Sequence, residues 1–296
     1  MSRTVTVGLD GSNESLAAAE WAACEAAMYE IPLRVVHAGE QQPHEYVPFA
    51  GEQVPPPGTD RSARLLVETR ARLAHRHSGV RVSVEQIDGR PVPTLIAAAR
   101  EAEVLVLGSR GLGKVAGALL GSVALAVVAR AERPVVLVRA AEDTGQERRP
   151  EAFEESDGTT PYRDVVLGLD LRAPDDDVLE FAFDAASRRA TRLRVIHGWG
   201  AEASPSAPAD DSGPAQDGPT SEGVLRPWQD KFPGVEVTEE AVVGDAGAHL
   251  VDVSRDASLI VVGRRSREGS LGSHIGPVAR TVLQHAVAPV AVVPHD

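Results

Sequence analysis

A glycine-rich loop between two apolar segments is the stretch of this sequence whose residue types and spacing could do chemistry. Residues 104–107 form a short apolar run, VLVL, and Ser122 opens a second run, VALAVVA. The backbone N–H groups of such a loop, together with those at the start of a helix, can bind phosphate. Strand, loop and helix therefore predict a phosphate-binding site. The glycines of the loop are Gly108, Gly111, Gly113, Gly117 and Gly121.

Two common nucleotide-binding motifs do not fit this loop. The string from Gly108 to Val115 nearly matches GxxxxGK[ST], but Val115 has no hydroxyl group with which to ligate Mg²⁺. The dinucleotide fingerprint GxGxxG is also missing after the first predicted strand, where the sequence is GLDGSNES. A P-loop NTPase and a dinucleotide-binding enzyme are therefore rejected.

Asp10 is a second candidate, because it follows the first predicted strand and recurs as Asp170. Its carboxylate could bind ribose hydroxyl groups or an adenine edge, or it could simply begin the turn Asp-Gly-Ser. The recurrence favours a ligand role. The loop glycines leave the same two alternatives open, phosphate binding or loop structure alone. His37 and His197 lie at strand ends, and no chemistry is assigned to them.

Short β-branched runs alternate with helical patterns along the first half of the chain, which predicts a parallel sheet with right-handed crossovers. In such a sheet a ligand binds beyond the carboxyl ends of the strands, where the strand order reverses. If the first and fourth strands are neighbours, Asp10 and the glycine loop face one crevice. The predicted strands are 4–10, 33–38, 80–87, 104–107 and 135–139, and the predicted helices are 14–29, 61–77, 93–102 and 123–130.

The second half of the chain repeats the first. The triplet Gly8-Leu9-Asp10 recurs 160 positions later as Gly168-Leu169-Asp170, and the glycine loop and last strand recur with an offset of 155. Constant offsets across unrelated residue types indicate a duplication. We therefore predict two tandem α/β domains, 1–140 and 161–296, joined by a charged linker at 141–160 that lacks a periodic pattern.

Composition and charge narrow the class of function. The net charge of −13 argues against general nucleic-acid binding, which needs a basic surface. No apolar stretch approaches the roughly 20 residues that span a bilayer, and residues 1–10 show no signal-peptide core, so we expect a cytoplasmic protein with no membrane partner. The single cysteine rules out an internal disulfide, and no metal site is evident.

The spacing from Gly108, written Gly-x₂-Gly-x₉-Gly-Ser, resembles the ATP-binding motif of the universal stress protein family, and both halves of the chain share the resemblance. It implies two open parallel five-stranded sheets of strand order 3-2-1-4-5 with helices on both faces. It also implies ATP as ligand, with Mg²⁺ bound through the phosphates, and a homodimer and an unidentified protein as further partners.

Carried over by position, the resemblance implies a site for each part of ATP. Gly8 and Asp10 would contact the nucleoside, and Ala38 would line the adenine pocket. The residues that would wrap the ribose and phosphates are Gly108, Ser109, Arg110, Gly111, Gly113 and Lys114. Those that would hold the terminal phosphates are Gly121, Ser122 and Val123.

The second copy departs from this pattern. Ser266 replaces the second glycine of the motif, and Pro277 replaces the hydroxyl residue, which removes both an O–H and an N–H donor. We therefore expect the second domain to bind ATP weakly, differently or not at all, with arginines compensating for the lost donors. Its candidate residues are Asp170, Gly263, Arg264, Arg265, Arg267 and Gly276.

These observations predict an ATP-binding stress-response protein that acts by binding or signalling. No paired carboxylates, Ser/His/Asp set or metal cage is evident, so no catalytic residue is assigned. One alternative is a slow ATPase or a nucleotide-transferring enzyme of the same fold. Another is an interaction module with a vestigial site, which suits the second domain better than the first.

Overall fold

The computed structural model describes residues 3–39, 59–110, 120–140, 161–199, 220–265 and 275–295. The chain divides into two compact units, unit 1 covering residues 1–142 and unit 2 covering 143–296. The linker predicted at 141–160 lies outside the described residues, so the predicted domain boundaries stay a prediction.

In unit 1, strands and helices alternate in the predicted order. The strands are β1 (Val5–Gly8), β2 (Leu33–Gly39), β3 (Val82–Asp88), β4 (Val104–Gly108) and β5 (Val135–Val138). The helices are α1 (Asn13–Tyr29), α2 (Thr59–Arg76), α3 (Pro91–Arg100) and α4 (Ser122–Val128).

Unit 2 repeats this alternation and adds a short 3₁₀ turn at Ser254–Asp256. Its strands are β6 (Asp164–Leu169), β7 (Leu193–Trp199), β8 (Val237–Val243), β9 (Ala257–Arg265) and β10 (Val290–His295). Its helices are α5 (Asp176–Arg188), α6 (Ser221–Lys231), α7 (Ala246–Val253) and α8 (Pro277–His285).

The strand order of unit 1 is β3-β2-β1-β4-β5, with every neighbouring pair parallel. Unit 2 has the corresponding order β8-β7-β6-β9-β10, again parallel throughout. The predicted α/β class and strand order are confirmed. Because β1 lies between β2 and β4, the strand order reverses beside it, and its carboxyl end is where a crevice opens.

The central strands are buried on both faces, as their continuous apolar sequences require. Val5, Val7 and every residue from Val104 to Leu107 are at most 5% exposed. The alanine-rich helix α1 packs closely on the sheet through its small side chains, and Ala18, Ala19 and Ala22 are fully buried. This close approach determines how much room is left at the strand ends.

Ser12 is the N-cap of α1. Its side chain accepts a hydrogen bond from the backbone N–H of Ser15 at 3.1 Å. Strand β1 ends at Gly8 rather than at the predicted Asp10, because the chain turns there into the cap. Within the described ranges, no helix has the length and apolar character needed to cross a membrane.

Candidate functional site

A cleft of about 420 Å³ opens at the carboxyl ends of the central strands of unit 1. It lies between the turn after β1 and the start of α4, where the strand-order rule places a ligand. The structure brings most of the predicted site residues of unit 1 around it. Those that line it are Gly8, Asp10, Ala38, Gly108, Arg110, Gly121, Ser122 and Val123.

The cleft has an apolar part and a polar edge. The polar edge is formed by Arg110, Gly121 and Ser122, and Arg110 supplies a guanidinium group. An apolar pocket with a few polar groups at one side suits a ligand with a flat ring and an anionic tail. The apolar residues of the lining are Leu9, Val36, Ala38, Pro91, Leu95, Leu107, Val123 and Ala124.

Several lining residues were missed by sequence reasoning. Pro91 and Leu95 lie in the first turns of α3, and Ser15 lies in the first turn of α1. Pro91 comes three residues after the carboxyl end of β3, so the strand-end rule could have found it. No sequence signal marks Leu95, whose burial by the sheet depends on how α3 packs.

The remaining predicted residues of unit 1 do not line the cleft or lie outside the described part. Ser109 is only 2% exposed, and its backbone N–H donates to the Val138 carbonyl at 2.7 Å. Its Oγ has no hydrogen-bond partner in the described ranges. The predictions for Gly111, Gly113 and Lys114 concern residues outside the described part of the chain.

Asp10 organises the turn that borders the cleft. Its Oδ1 accepts hydrogen bonds from the backbone N–H of Ser12 at 2.9 Å and from the Ser12 hydroxyl at 2.6 Å. The hydroxyl of Ser15 in turn accepts from the N–H of Gly11 at 3.1 Å. The turn role considered for Asp10 is therefore confirmed. Asp10 also lines the cleft, and its role towards a ligand stays a prediction.

The glycines at the strand ends leave room for neighbouring atoms of the protein itself. A Cβ on Gly108 would lie 2.7 Å from the carbonyl carbon of Glu14 and 2.8 Å from the nitrogen of Ser15. A Cβ on Gly8 would lie 2.6 Å from Leu107 Cδ2. Side chains at these positions would therefore collide with α1 and with the apolar lining. The absence of a side chain is required whether or not a ligand approaches.

The start of α4 presents backbone N–H groups near the polar edge. Gly121 is the N-cap, with φ −70° and ψ 141°, and its N–H donates to the Ser109 carbonyl at 2.8 Å. No side chain caps this helix. The first N–H groups of a helix have no intrahelical partner, so those that follow Gly121 suit an anion.

His37 links the strand end to helix α2. One ring nitrogen, Nδ1, lies 2.7 Å from the Leu9 carbonyl, so it carries the proton and donates to that oxygen. The other, Nε2, lies 3.2 Å from the Ser62 hydroxyl and accepts from it. Its counterpart His197 is buried, and its Nδ1 has no partner among the described residues. The contacts of His37 are structural, and the assignment of no chemistry to either histidine stays a prediction.

The corresponding position of unit 2 is occupied differently. Arg265, the counterpart of Arg110, forms an ion pair with Asp170, the counterpart of Asp10, with Nη2 and Oδ2 2.9 Å apart. Arg264 replaces Ser109 and is buried, and burial lowers its pKa from the usual range. The two strand ends that flank the cleft in unit 1 are therefore joined by an ion pair in unit 2.

The glycines of the second motif show the same mixture of roles. A Cβ on Gly263 would lie 2.8 Å from Nε2 of His295, so packing again requires glycine. A Cβ on Gly276 would meet nothing within 4 Å. Pro277 then begins α8, where its missing N–H costs the helix nothing. It does remove one of the donors available to an anion.

The described residues contain no group of three or more His, Cys, Asp or Glu side chains that could hold a metal ion. Within them, the cleft also lacks a paired set of carboxylates and a Ser/His/Asp arrangement.

Known proteins match the whole length of this chain. The family model described as the universal stress protein family matches residues 1–139 and again 161–294. The universal stress protein Rv2005c of Mycobacterium tuberculosis is 34% identical over 97% of this chain and 96% of its own length.

Solved structures agree with this at the level of the fold. A universal stress protein from Archaeoglobus fulgidus covers 100% of both chains with a TM-score of 0.69 at 18% identity. A universal stress protein solved in complex with cAMP is 31% identical to 47% of this chain, covers 98% of its own length and has a TM-score of 0.37. With two family matches and a relative that spans its full length, the chain belongs to the universal stress protein family, as a tandem member.

Proposed function

We propose that unit 1 binds ATP in the cleft at the carboxyl ends of β1 and β4, and that the protein acts in stress response by nucleotide-dependent binding or signalling. The observation that carries this proposal is the composition of the cleft. Apolar side chains at Val36, Ala38 and Leu95 suit a purine ring, whereas Arg110 and the N–H groups after Gly121 suit phosphates.

The residues that line the cleft indicate where each part of the nucleotide would bind. The adenine ring would lie on the apolar side next to Ala38, and Asp10 would accept hydrogen bonds from the ribose hydroxyl groups. The phosphates would extend towards Arg110 and Ser122, with Mg²⁺ bound through phosphate oxygens. Gly8 and Gly108 contribute by keeping the strand ends free of side chains, which their packing already demands.

Turnover is the weaker alternative. Hydrolysis of ATP needs a group that activates water or a metal ion held by the protein. The part of the cleft that the structure describes supplies a phosphate-binding edge but no such group. The chain is therefore proposed to hold ATP rather than to hydrolyse it.

Unit 2 is proposed as an interaction module whose nucleotide site is vestigial. The ion pair between Arg265 and Asp170 and the proline at position 277 favour this assignment. The ion pair joins the counterparts of Arg110 and Asp10 to each other, and Pro277 stands where unit 1 has Ser122.

Mass spectrometry of the nucleotide released by denaturing the purified protein tests the proposal. ATP is the expected product. ADP alone would instead support turnover, and cAMP, the ligand of one family structure, would indicate a cyclic nucleotide. Protein that carries nothing and binds no added adenine nucleotide by calorimetry would contradict the proposal.

A further inference from the structure

Two arginines follow neighbouring strands at the cleft end of unit 1. Arg110 comes two residues after β4, lines the cleft and is exposed. Arg139 directly follows β5 and is half-buried. The ladder between these strands pairs Gly108 with Val138 and continues through the hydrogen bond from Ser109 N–H to the Val138 carbonyl at 2.7 Å. Arg139 is thereby placed level with Ser109, one position from Arg110.

The two guanidinium groups are close enough to act on each other. Burial lowers the pKa of Arg139, and the positive charge of Arg110 lowers it further. Guanidinium groups stay protonated in proteins, so both remain cations at neutral pH. The two like charges therefore repel each other, and one of them is half out of water. An anion bound between them relieves this repulsion.

No acidic group among the described residues of unit 1 forms an ion pair with Arg110. Asp10 directs Oδ1 to Ser12. In unit 2, by contrast, the equivalent Arg265 forms an ion pair with Asp170, with Nη2 and Oδ2 2.9 Å apart. Unit 1 therefore keeps positive charge at the polar edge of its cleft.

Unit 2 also carries an arginine at the level of Arg139, but on the other strand. There Arg264 of β9 is the ladder partner of Pro294 in β10, whereas in unit 1 Ser109 of β4 lies level with Arg139 after β5. At this level of the sheet, the arginine therefore follows β5 in unit 1 but lies in β9 in unit 2. In unit 1 it comes from β5, on the far side of β4 from the adenine end of the cleft.

We propose that Arg139 and Arg110 together bind the β- and γ-phosphates of the nucleotide in unit 1, and that Arg139 makes the site prefer a triphosphate over a monophosphate. The proposal rests on the proposed function, because it requires an adenine nucleotide in the cleft. Arg139 is outside the cleft lining, so it reaches only the part of a ligand that extends past Arg110. A monophosphate ends before that point.

Calorimetric titration of the full chain with ATP and with AMP tests the proposal. Arg139→Gln keeps much of the side-chain stem and removes the charge, so the stem can still pack. We expect the affinity for ATP to fall about tenfold or more, as for the loss of a charge-assisted contact. The affinity for AMP should stay within about twofold because a monophosphate lacks the groups that Arg139 binds.

Three further variants complete the experiment. Arg110→Ala should lower the preference for ATP over AMP in the same way. Because Arg110 is exposed, we expect this variant to fold, so the ratio of the two affinities can be measured even if Arg139→Gln does not fold. Arg139→Lys should restore part of the preference, since lysine supplies charge without the planar fork. Arg133→Ala is the control, because Arg133 precedes β5 at the opposite end of the strand and bonds to the Ala102 carbonyl.

The outcomes separate this proposal from the one on which it rests. If the unaltered protein binds neither ATP nor AMP, both proposals fail. If it binds both and Arg139→Gln weakens them equally, or weakens neither, only the role of Arg139 is overturned. A structural role for the side chain would lower thermal stability and both affinities together, so the ratio of the two affinities is the deciding measurement.

Discussion

Single residues at this site serve the fold and the proposed ligand at once. Sequence reasoning assigned Gly108 to the approach of a phosphate, and the structure shows that backbone atoms of Glu14 and Ser15 already fill the space above it. Asp10 likewise closes its own turn through Ser12. The residue types were predictable from the strand–loop pattern. The turn role of Asp10 was also among the predicted alternatives. The contact of Gly108 with α1 was not predictable, because it depends on distances between elements.

Gly108→Ala is predicted to destabilise unit 1 strongly. The added methyl group would lie within 3 Å of the backbone of α1, which cannot move as a side chain can, so we expect a cost of about 1–3 kcal/mol. Denaturant unfolding measures it. Gly79→Ala is the matched control, since a Cβ there meets nothing within 4 Å. Equal stability of the two variants would contradict the packing account.

Asp10→Ala is predicted to weaken ATP and AMP to the same degree, by about tenfold, because both carry the ribose that Asp10 is proposed to bind. It should also lower stability by about 1 kcal/mol, since Ser12 loses its acceptor at the start of α1. Asp10→Asn keeps an acceptor oxygen and should preserve stability. Calorimetry and thermal melts separate the two effects. A selective loss of ATP binding would argue against contact with the ribose.

At the scale of elements, sequence periodicity was sufficient for most of the fold. Buried strands such as β4 are continuous apolar runs, and the parallel sheet with its strand order is confirmed. Boundaries shifted by one to a few residues where caps decide them, as at Ser12. The place of Leu95 in the cleft and the proximity of Arg139 to Arg110 were not predictable, because both depend on packing between distant segments.

The start of α4 yields a prediction about backbone donors. Ser122→Pro removes the N–H and the hydroxyl of Ser122, as Pro277 does in unit 2. Gly121 already has ψ 141°, the conformation that a residue before proline prefers, so stability should change little. We expect ATP affinity to fall about tenfold to a hundredfold, the effect of losing hydrogen bonds to a charged group.

Ser122→Ala removes the hydroxyl alone and serves as the control for this variant. Binding measured by calorimetry should fall further for proline than for alanine. If the two variants bind equally, the backbone N–H of Ser122 takes no part in binding. If proline lowers the melting temperature by many degrees, the comparison with Pro277 fails as a structural argument.

On the scale of the whole molecule, the two copies share a fold and differ in how charge is satisfied at their strand ends. Unit 1 keeps Arg110 at its cleft, whereas unit 2 pairs the equivalent Arg265 with Asp170. That pair is half-exposed, so it contributes no more than about 1 kcal/mol, and the loss of donors at Pro277 is the larger difference. The duplication was predictable from constant offsets; the ion pair required the structure.

One ATP per chain is the predicted stoichiometry by calorimetry. The Ser122→Pro variant should show no tight site, because unit 2 offers none to replace it. Bound ATP should also raise the melting temperature, since a ligand that binds only the folded state stabilises it by mass action. Two equivalent sites in the unaltered protein, or one remaining tight site in the variant, would contradict the assignment of unit 2.

The backbone conformation before α4 and α8 affects how the sequences of the two copies can diverge. Gly121 and Gly276 both adopt extended conformations that accept a following proline, with ψ 141° and 160°. After a gene duplication, one copy can therefore exchange serine for proline without a penalty that purifying selection on folding would detect. Under the proposed function, a substitution at this position can then change ligand binding without changing folding. One copy can therefore evolve a new role while the other keeps its binding site.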